Sequence, residues 1–364
     1  MLIKLGEIMP QKIQSIDPQR YSSQLFELWS ISAYDKGKPE KRFGYEIGSS
    51  KKSIQAGDVL LSRIIPHIRR VWIVKEGEEV QIGSGEWVIF RGENFFPNFL
   101  RHFLLSDEFH TQFMATVAGV GGSLLRARPE GIKRIQCFLP PLDEQRRIAG
   151  ILDAAEALQA KRTRSLKLLD EMKQALFIDM FGDPRSSTTT KSMIKLGAIC
   201  NPKQHKTIPV KNLAEEGFPV FGANGQIGFF NSFTHKEPTI AITCRGATCG
   251  TINITPEKCY ITGNAMALDN LDNNKVALTY LETYLNLRGL EDVISGTAQP
   301  QITRAPLLNL DIWLPKIEEQ RDYDDKLQRL YVVKDKHQTS QRNLSELFTS
   351  LQHKAFSGKL TGER

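Results

Sequence analysis

No stretch of this 364-residue chain is apolar for long enough to cross a bilayer, and the opening MLIKLGEIMPQK has neither a long apolar core nor a small-residue cleavage site. Membrane insertion and secretion are therefore not expected, and a cytoplasmic location is. Cysteine is scarce and odd in number: Cys137, Cys200, Cys244, Cys249 and Cys259 form no even disulfide framework, so reduced thiols are expected. Cys244, Cys249 and Cys259 lack a Cys-x-x-Cys knuckle and paired histidines, so no metal site is expected either. Motifs for chemistry are missing too. There is no GxxxxGK[ST] loop for a nucleoside triphosphate. The clusters Gly119–Gly122 and Gly222–Gly228 lack the strand–loop–helix spacing of a dinucleotide or methyl-donor site and read as turns. Asp170, Glu171 and Lys173 could imitate a nuclease triad, but they fall in a long helical pattern where surface ion pairing accounts for them. No catalytic residue is assigned.

What is present is a repeat. Leu139–Leu152 reads LPPLDEQRRIAGIL, and 175 residues later Leu314–Leu327 reads LPKIEEQRDYDDKL, identical at six of fourteen positions. Each copy opens a segment of low breaker content. Leu142–Phe181 holds one Gly and no Pro, and Ile317–Phe356 holds neither. Pro140-Pro141 and Pro315 stand before the starts, Asp143-Glu144 and Glu318-Glu319 suit the positive end of a helix dipole, and Gly182 and Gly358 follow the ends. Two long helices are predicted.

Alternating steps of four and three residues trace one seam through Ile148, Leu152, Ala155, Gln159, Arg162, Leu166, Leu169, Lys173, Leu176 and Met180. The same steps displaced by 175 trace Tyr323, Leu327, Leu330, Lys334, His337, Gln341, Leu344, Phe348, Leu351 and Ala355. Both seams are apolar at their ends and polar in the middle. An antiparallel pair within one chain brings apolar ends together and polar middles to the crossing. About 35 helical residues span roughly 50 Å, so such a pair would hold whatever is mounted on it at a fixed distance.

A β-rich segment precedes each helix. Lys4-Leu5-Gly6 opens the first and Lys195-Leu196-Gly197 the second. Gly57–Arg63 parallels Pro238–Arg245, placing Arg63 and Arg245 at matching strand ends, and Val71–Val74 parallels Thr251–Ile254. Helical signals follow over Asn98–Ala118 and Lys275–Ile294, then a Gly-rich turn leads into a last strand. The expected class is α+β: two mixed, β-rich domains joined by two long helices packed as an antiparallel coiled coil, with an internal pseudo-two-fold repeat. The divisions are 1–141, first β-rich domain; 142–183, first long helix; 184–194, a polar linker; 195–315, second β-rich domain; 316–358, second long helix; and 359–364, a tail. The net charge is +7, of which +4 lies in residues 1–141. A local basic excess of this kind suits a polyanion such as DNA, or a solvated basic face.

The doubled LPP-x-x-EQ-like entries, the closing Phe181-Gly182-Asp183 and Phe356-Ser357-Gly358-Lys359-Leu360, the Lys-Leu-Gly openings, Gly57–Val74 and Gly296–Ile302 (GTAQPQI) together resemble the specificity subunit of type I restriction-modification systems. The first half departs from that pattern, with Gly122–Arg128 where the second has GTAQPQI. The resemblance implies a non-enzymatic subunit that reads a bipartite double-stranded DNA target, one half per recognition domain, with the helices measuring the spacer. It implies two methyltransferase subunits and ATP-dependent restriction subunits as partners. S-adenosylmethionine, ATP and Mg then belong to those partners, with no cofactor on this chain. Residues expected at DNA are Arg63 and Arg245 first, then His67, Arg69, Arg70, Lys203, His205 and Lys206, and further Lys51, Asn224, Arg126, Arg128, Gln299 and Gln301. The corners Glu144-Gln145-Arg146 and Glu319-Gln320-Arg321 are expected to dock the methyltransferases. The competing readings are a fragment of a single-chain restriction or methylation enzyme and a coiled-coil structural adaptor.

Overall fold

A computed structural model describes residues 1–119, 125–186, 192–223, 225–296 and 298–360. The chain forms two compact units, Met1–Thr163 with Thr339–Arg364, and Arg164–Gln338. The two long helices run over Leu142–Phe181 and Ile317–Phe356, 40 residues each. Gly182 and Gly358 lie in the left-handed region with φ of 83° and 75°, where a side chain would be strained, and there the helices stop.

Each unit holds the early part of one long helix and the late part of the other. In the first unit, Ile148, Ala149 and Leu152 share a core with Ala355 and Phe356, and Phe348 and Leu351 pack against it. In the second, Tyr323 and Leu327 share a core with Phe177 and Phe181, flanked by Leu176, Met180 and Leu330. The pairing is thus antiparallel within each unit. The polar part of the seam is bonded rather than apolar. Gln159 donates to the Leu344 carbonyl at 3.3 Å and Gln341 to Thr163 at 3.5 Å in the first unit; Lys334 pairs with Asp170 at 2.5 Å in the second.

The same strands are built twice. Leu2–Lys4 runs antiparallel to Gln136–Phe138, and Met193–Lys195 to Asp311–Trp313. A 3-10 turn follows each opening strand, at Leu5–Ile8 and Leu196–Ala198, with Leu5 and Leu196 fully buried. The glycine of the Lys-Leu-Gly opening has a packing reason: a Cβ on Gly197 would sit 3.0 Å from the Leu308 carbonyl oxygen and closer still to its side chain. The central strands Val59–Ser62 and Ile240–Thr243 are buried along their whole length, which is why they read as continuous apolar runs. Val59–Ser62 lies between Val71–Ile73 and Trp87–Phe90; Ile240–Thr243 lies between Ile252–Ile254 and Ala265–Asp269, with Asn201–Lys203 added at the edge.

The second sheets differ. The first unit has five strands in the order Ser15–Ile16, Lys51–Ser53, Val80–Gly83, Leu25–Trp29, Glu40–Phe43, and the second has three, Gly225–Phe230, Phe218–Gly222, Tyr260–Ile261.

The helical signal over Asn98–Ala118 resolves into Pro97–Leu105 and Asp107–Met114, because the Ser106 hydroxyl accepts the Phe109 N–H and starts a new helix. Val117–Ala118 is a strand, paired with Arg126–Ala127. The signal over Lys275–Ile294 shortens to Leu278–Arg288, ended by Gly289 at φ 78°, and Ile294–Ser295 pairs with Gln301–Ile302.

In the first unit a polar cluster ties the Pro97–Leu105 helix to the first long helix. Buried His102 meets Asp153 at 2.7 Å, Asn98 donates to the other Asp153 oxygen at 2.7 Å, and Arg101 grips Glu156 through two bonds of 2.8 Å. Burial holds the His102 imidazole below its ordinary value, with the Asp153 hydrogen bond opposing, and Arg101 holds Glu156 low. Unfolding lets His102 take up a proton at a pH where the folded chain does not. The urea unfolding free energy is therefore expected to fall as pH drops below about 6.5, the unfolded histidine value. Glu156 contributes its own loss only further down, below about 4.5. His102→Asn should flatten the first of these slopes, as denaturation at pH 7.5 and 5.5 would show.

Candidate nucleic-acid interface

In both units the chain leaves the central strand and is met by the hairpin that precedes the long helix. Ala127 N–H donates to the Arg63 carbonyl at 2.8 Å, and Ile302 N–H to the Cys244 carbonyl at 3.0 Å. Ile64 then bridges Arg126, and Arg245 bridges Gln301. These hydrogen bonds set the correspondence between the halves. Arg63 matches Cys244, Arg245 matches Ile64, and Arg126 matches Gln301. Reading Arg63 and Arg245 as a matched pair is thus corrected by one residue, which in extended chain points them to opposite sides.

In the first unit Arg63 and Arg126 converge on one carboxylate, Glu86, at 3.0 and 3.3 Å. Lys52, one position beyond the expected Lys51, donates to the Trp87 carbonyl at 2.7 Å. Burial and the neighbouring Arg63 charge pull the Lys52 ammonium down, with Glu86 opposing. Three cations around one carboxylate leave a positive surplus at the strand end, and Lys52 and Glu86 are the members that sequence reasoning missed. Lys51 itself bonds Ser49 through its backbone oxygen at 2.8 Å and its hydroxyl at 2.6 Å. His67 and Arg128 are exposed. Arg69, also exposed, holds the Leu105 carbonyl at 2.9 Å and Asp107 at 2.6 Å.

Arg70 does not belong with them. It is 7% exposed and clamps Asp35 through bonds of 2.7 and 2.9 Å, so its charge is spent inside the unit. Arg70→Ala is expected to lower stability by about 1–3 kcal/mol, the worth of hydrogen bonds to a charged partner. DNA affinity of the folded protein should stay unchanged, which paired urea melts and binding isotherms would check.

In the second unit Arg245 lines a cleft with Gly246, Ala247, Ala298, Gln299, Pro300 and Gln301. Gly246 there has φ of 87°, and its N–H donates to the Pro300 carbonyl at 3.3 Å. Arg245, Gln299 and Gln301 are exposed, and among the described residues no carboxylate pairs with the guanidinium of Arg245 or of Arg128. Lys203 and Lys206 are exposed as well. His205 turns inward to Asp269 at 3.1 Å instead of outward. Asn224 lies outside the described residues.

At the corners the two glutamines are internal pins. Gln145, 1% exposed, accepts the Phe96 N–H at 2.7 Å and donates to the carbonyls of Pro140 and Asn94 at 2.8 and 3.3 Å. Gln320, 0% exposed, accepts the Ala277 N–H at 2.8 Å and donates to Pro315 and Lys275 at 2.9 and 3.0 Å. Phe96 and Ala277 are the N-cap residues of equivalent helices, so each amide satisfies an end-group that no side chain of the helix itself caps. Both are thereby removed from the expected docking set. Glu144 is bound to Arg147, and Arg146 to Asp143, with its guanidinium over the Phe96 ring at 6.0 Å. Arg146, Glu319 and Arg321 are exposed. Asp170 and Lys173 form ion pairs with Lys334 and Glu282, as a structural helix surface would have them. No described helix is long and apolar enough to cross a membrane.

Residues 189–344 match the type I restriction modification DNA specificity domain. The chain is 26% identical over 308 residues to a protein named as a candidate type I restriction enzyme MjaX specificity subunit of Methanocaldococcus jannaschii, covering 75% of this chain and 71% of that protein. It is 24% identical over 184 residues to the type I restriction enzyme EcoprrI specificity subunit of Escherichia coli, covering 48% and 45%. Its fold is similar over 99% of its length, and 98% of the other chain, to a solved chain described in a study of assembly and conformational transition of the type I R-M system, with a TM-score of 0.68 at 23% identity. A type I S subunit from M. genitalium is similar over 98% and 96% with a TM-score of 0.58 at 16% identity. With its doubled strand, hairpin and long-helix plan, the chain is thus similar in sequence and fold to specificity subunits of type I restriction-modification systems, and its residues 189–344 match their DNA specificity domain.

Proposed function

We propose that this chain is the DNA-reading subunit of a type I complex, each unit contacting one half of a bipartite duplex target and the paired helices setting the gap between the halves. What supports this best is the strand end and hairpin built twice on different side chains. The first carries the Lys52–Arg63–Glu86–Arg126 cluster, and the second the exposed Arg245 beside Gln299 and Gln301. A shared frame with different tips suits two readers of two sequences. Lys52, Arg63 and Arg126, whose charged groups are already engaged within the unit, suit phosphate contact. Arg245, whose fork no carboxylate among the described residues holds, suits bidentate recognition of a guanine edge flanked by the two glutamine amides.

On this reading the chain is non-catalytic and cytoplasmic. It recruits two methyltransferase subunits, which bring S-adenosylmethionine, and restriction subunits, which bring ATP and Mg. Arg146, Glu319 and Arg321 face solvent at the helix entries and, with the half-buried Glu144 that Arg147 holds, are the part of each corner left for docking.

Arg245→Ala is expected to weaken binding to the cognate duplex by about 10- to 100-fold, the worth of one bidentate base contact. Arg63→Ala should weaken cognate and random duplexes alike and reduce the salt slope by about one. Fluorescence anisotropy of the chain with its methyltransferase, at two salt concentrations, separates the two. Equal loss on all duplexes for Arg245→Ala would make it a phosphate contact, and no loss for either would remove this edge from the DNA.

A further inference from the structure

We propose that His205, His235 and Asp269 bind one divalent transition-metal ion of the zinc class, a site that the DNA-reading role does not require. The three come from places 30 and 34 residues apart, and for that reason no ligand spacing marks them in the sequence. In the fold their ligand atoms all lie within 4.8 Å of one another. His235 Nε2 is 2.8 Å from one Asp269 oxygen, and His205 Nε2 is 3.1 and 3.3 Å from the two. Ligands about 2.0–2.1 Å from a tetrahedral ion stand about 3.3 Å apart, so the ion enters with small side-chain shifts. Two imidazoles and one carboxylate form a donor set that divalent zinc, cobalt, nickel and iron accept.

The supports of the site are in place. Asp269 ends the Ala265–Asp269 strand and is paired through the backbone with Asn201, two residues before the segment that carries His205. His235 is held by reciprocal backbone bonds with Cys259 at 3.0 and 3.1 Å. Its other ring nitrogen, Nδ1, lies 2.8 Å from Thr234 Oγ1, which accepts the Ile261 N–H at 3.0 Å and reaches the Cys259 carbonyl at 3.4 Å. A proton on Nδ1 directed at Thr234, with the hydroxyl proton on Cys259, leaves the Nε2 lone pair for an ion, the outer-shell arrangement typical of metal-bound histidine. The three side chains are only 12–17% exposed, yet they face a cavity that Lys236, Glu237, Asn270 and Asn273 also line, so water can complete the coordination. An ion here would clasp the segment carrying Lys203, His205 and Lys206 to the sheet.

The test uses the full chain, stripped with chelator and desalted, and titrated with zinc chloride by calorimetry, with bound metal counted by mass spectrometry. One zinc per chain is expected, with at least a tenfold loss of affinity in H205Q, H235Q and D269N, and about tenfold in T234V through the lost outer-shell support. Cobalt substituted for zinc should give d–d absorption without thiolate-to-metal bands, which distinguishes this site from the five cysteines and needs no variant to fold. Absence of stoichiometric zinc in the wild-type chain, thiolate bands on cobalt, or undiminished affinity in the ligand variants would overturn the proposal. None of these readouts involves DNA, so its failure and that of the DNA-reading role are separable.

Discussion

Gln320→Ala is expected to lower the unfolding free energy of the second unit by about 3 kcal/mol. The side chain is fully buried and makes three hydrogen bonds, to the Ala277 N–H and to the carbonyls of Lys275 and Pro315. Alanine leaves all three backbone groups without that partner, and each stranded group costs about 1–3 kcal/mol less whatever water regains. Gln145→Ala repeats the loss in the first unit through Phe96, Asn94 and Pro140. Gln320→Glu keeps the acceptor but loses both donations and buries a charge, so it should be no better tolerated. Urea melts of the three variants against wild type provide the check. A loss below about 1 kcal/mol accompanied by weaker methyltransferase binding would return the glutamines to the docking surface.

Insertion of one heptad into the first long helix after Thr163 and a matching heptad into the second after Gln338 is expected to lengthen the recognised gap by about three base pairs. Seven helical residues add about 10.5 Å, and DNA rises about 3.4 Å per base pair. The matched insertion preserves the apolar ends, Ile148 and Leu152 with Ala355 in one unit and Tyr323 and Leu327 with Phe177 in the other. A heptad in only one helix leaves seven residues without a partner along the seam and should abolish specific binding before it abolishes secondary structure. Binding to a panel of duplexes differing only in gap length reads both results. Matched insertions that left the preferred gap unchanged would mean that something other than the helices sets it.

The long helices were legible because their signals are local: proline before, acidic first turn, no breaker, glycine after, and a heptad seam that a 175-residue displacement reproduces. The strands that open and close each unit were legible for the same reason, as short apolar runs at repeated positions. The side-chain roles were less so, because partners far along the chain decide them. Arg70 looks like one of three basic residues in a loop until Asp35, 35 residues earlier in the sequence, is found against it. Arg63 and Arg245 both follow a buried strand, and only the backbone bonds of Ala127 and Ile302 reveal that they differ by one register position. Lys52 hides behind Lys51, since neither composition nor spacing says which lysine of a pair meets Trp87 and the Glu86 cluster. The Glu-Gln-Arg repeat was visible as a repeat, but whether its amide points inward depends on the N-cap it meets.

The two-reader plan is tested most directly by one measurement: selection of bound duplexes from a randomised library by the full chain with its methyltransferase, repeated with Arg245→Ala. It predicts a split motif with one constant gap, and in the variant a loss of preference confined to one half-site while the other half and the gap persist. Enrichment of a continuous motif, or erosion of both halves by that single substitution, would contradict two independent readers on one pair of helices.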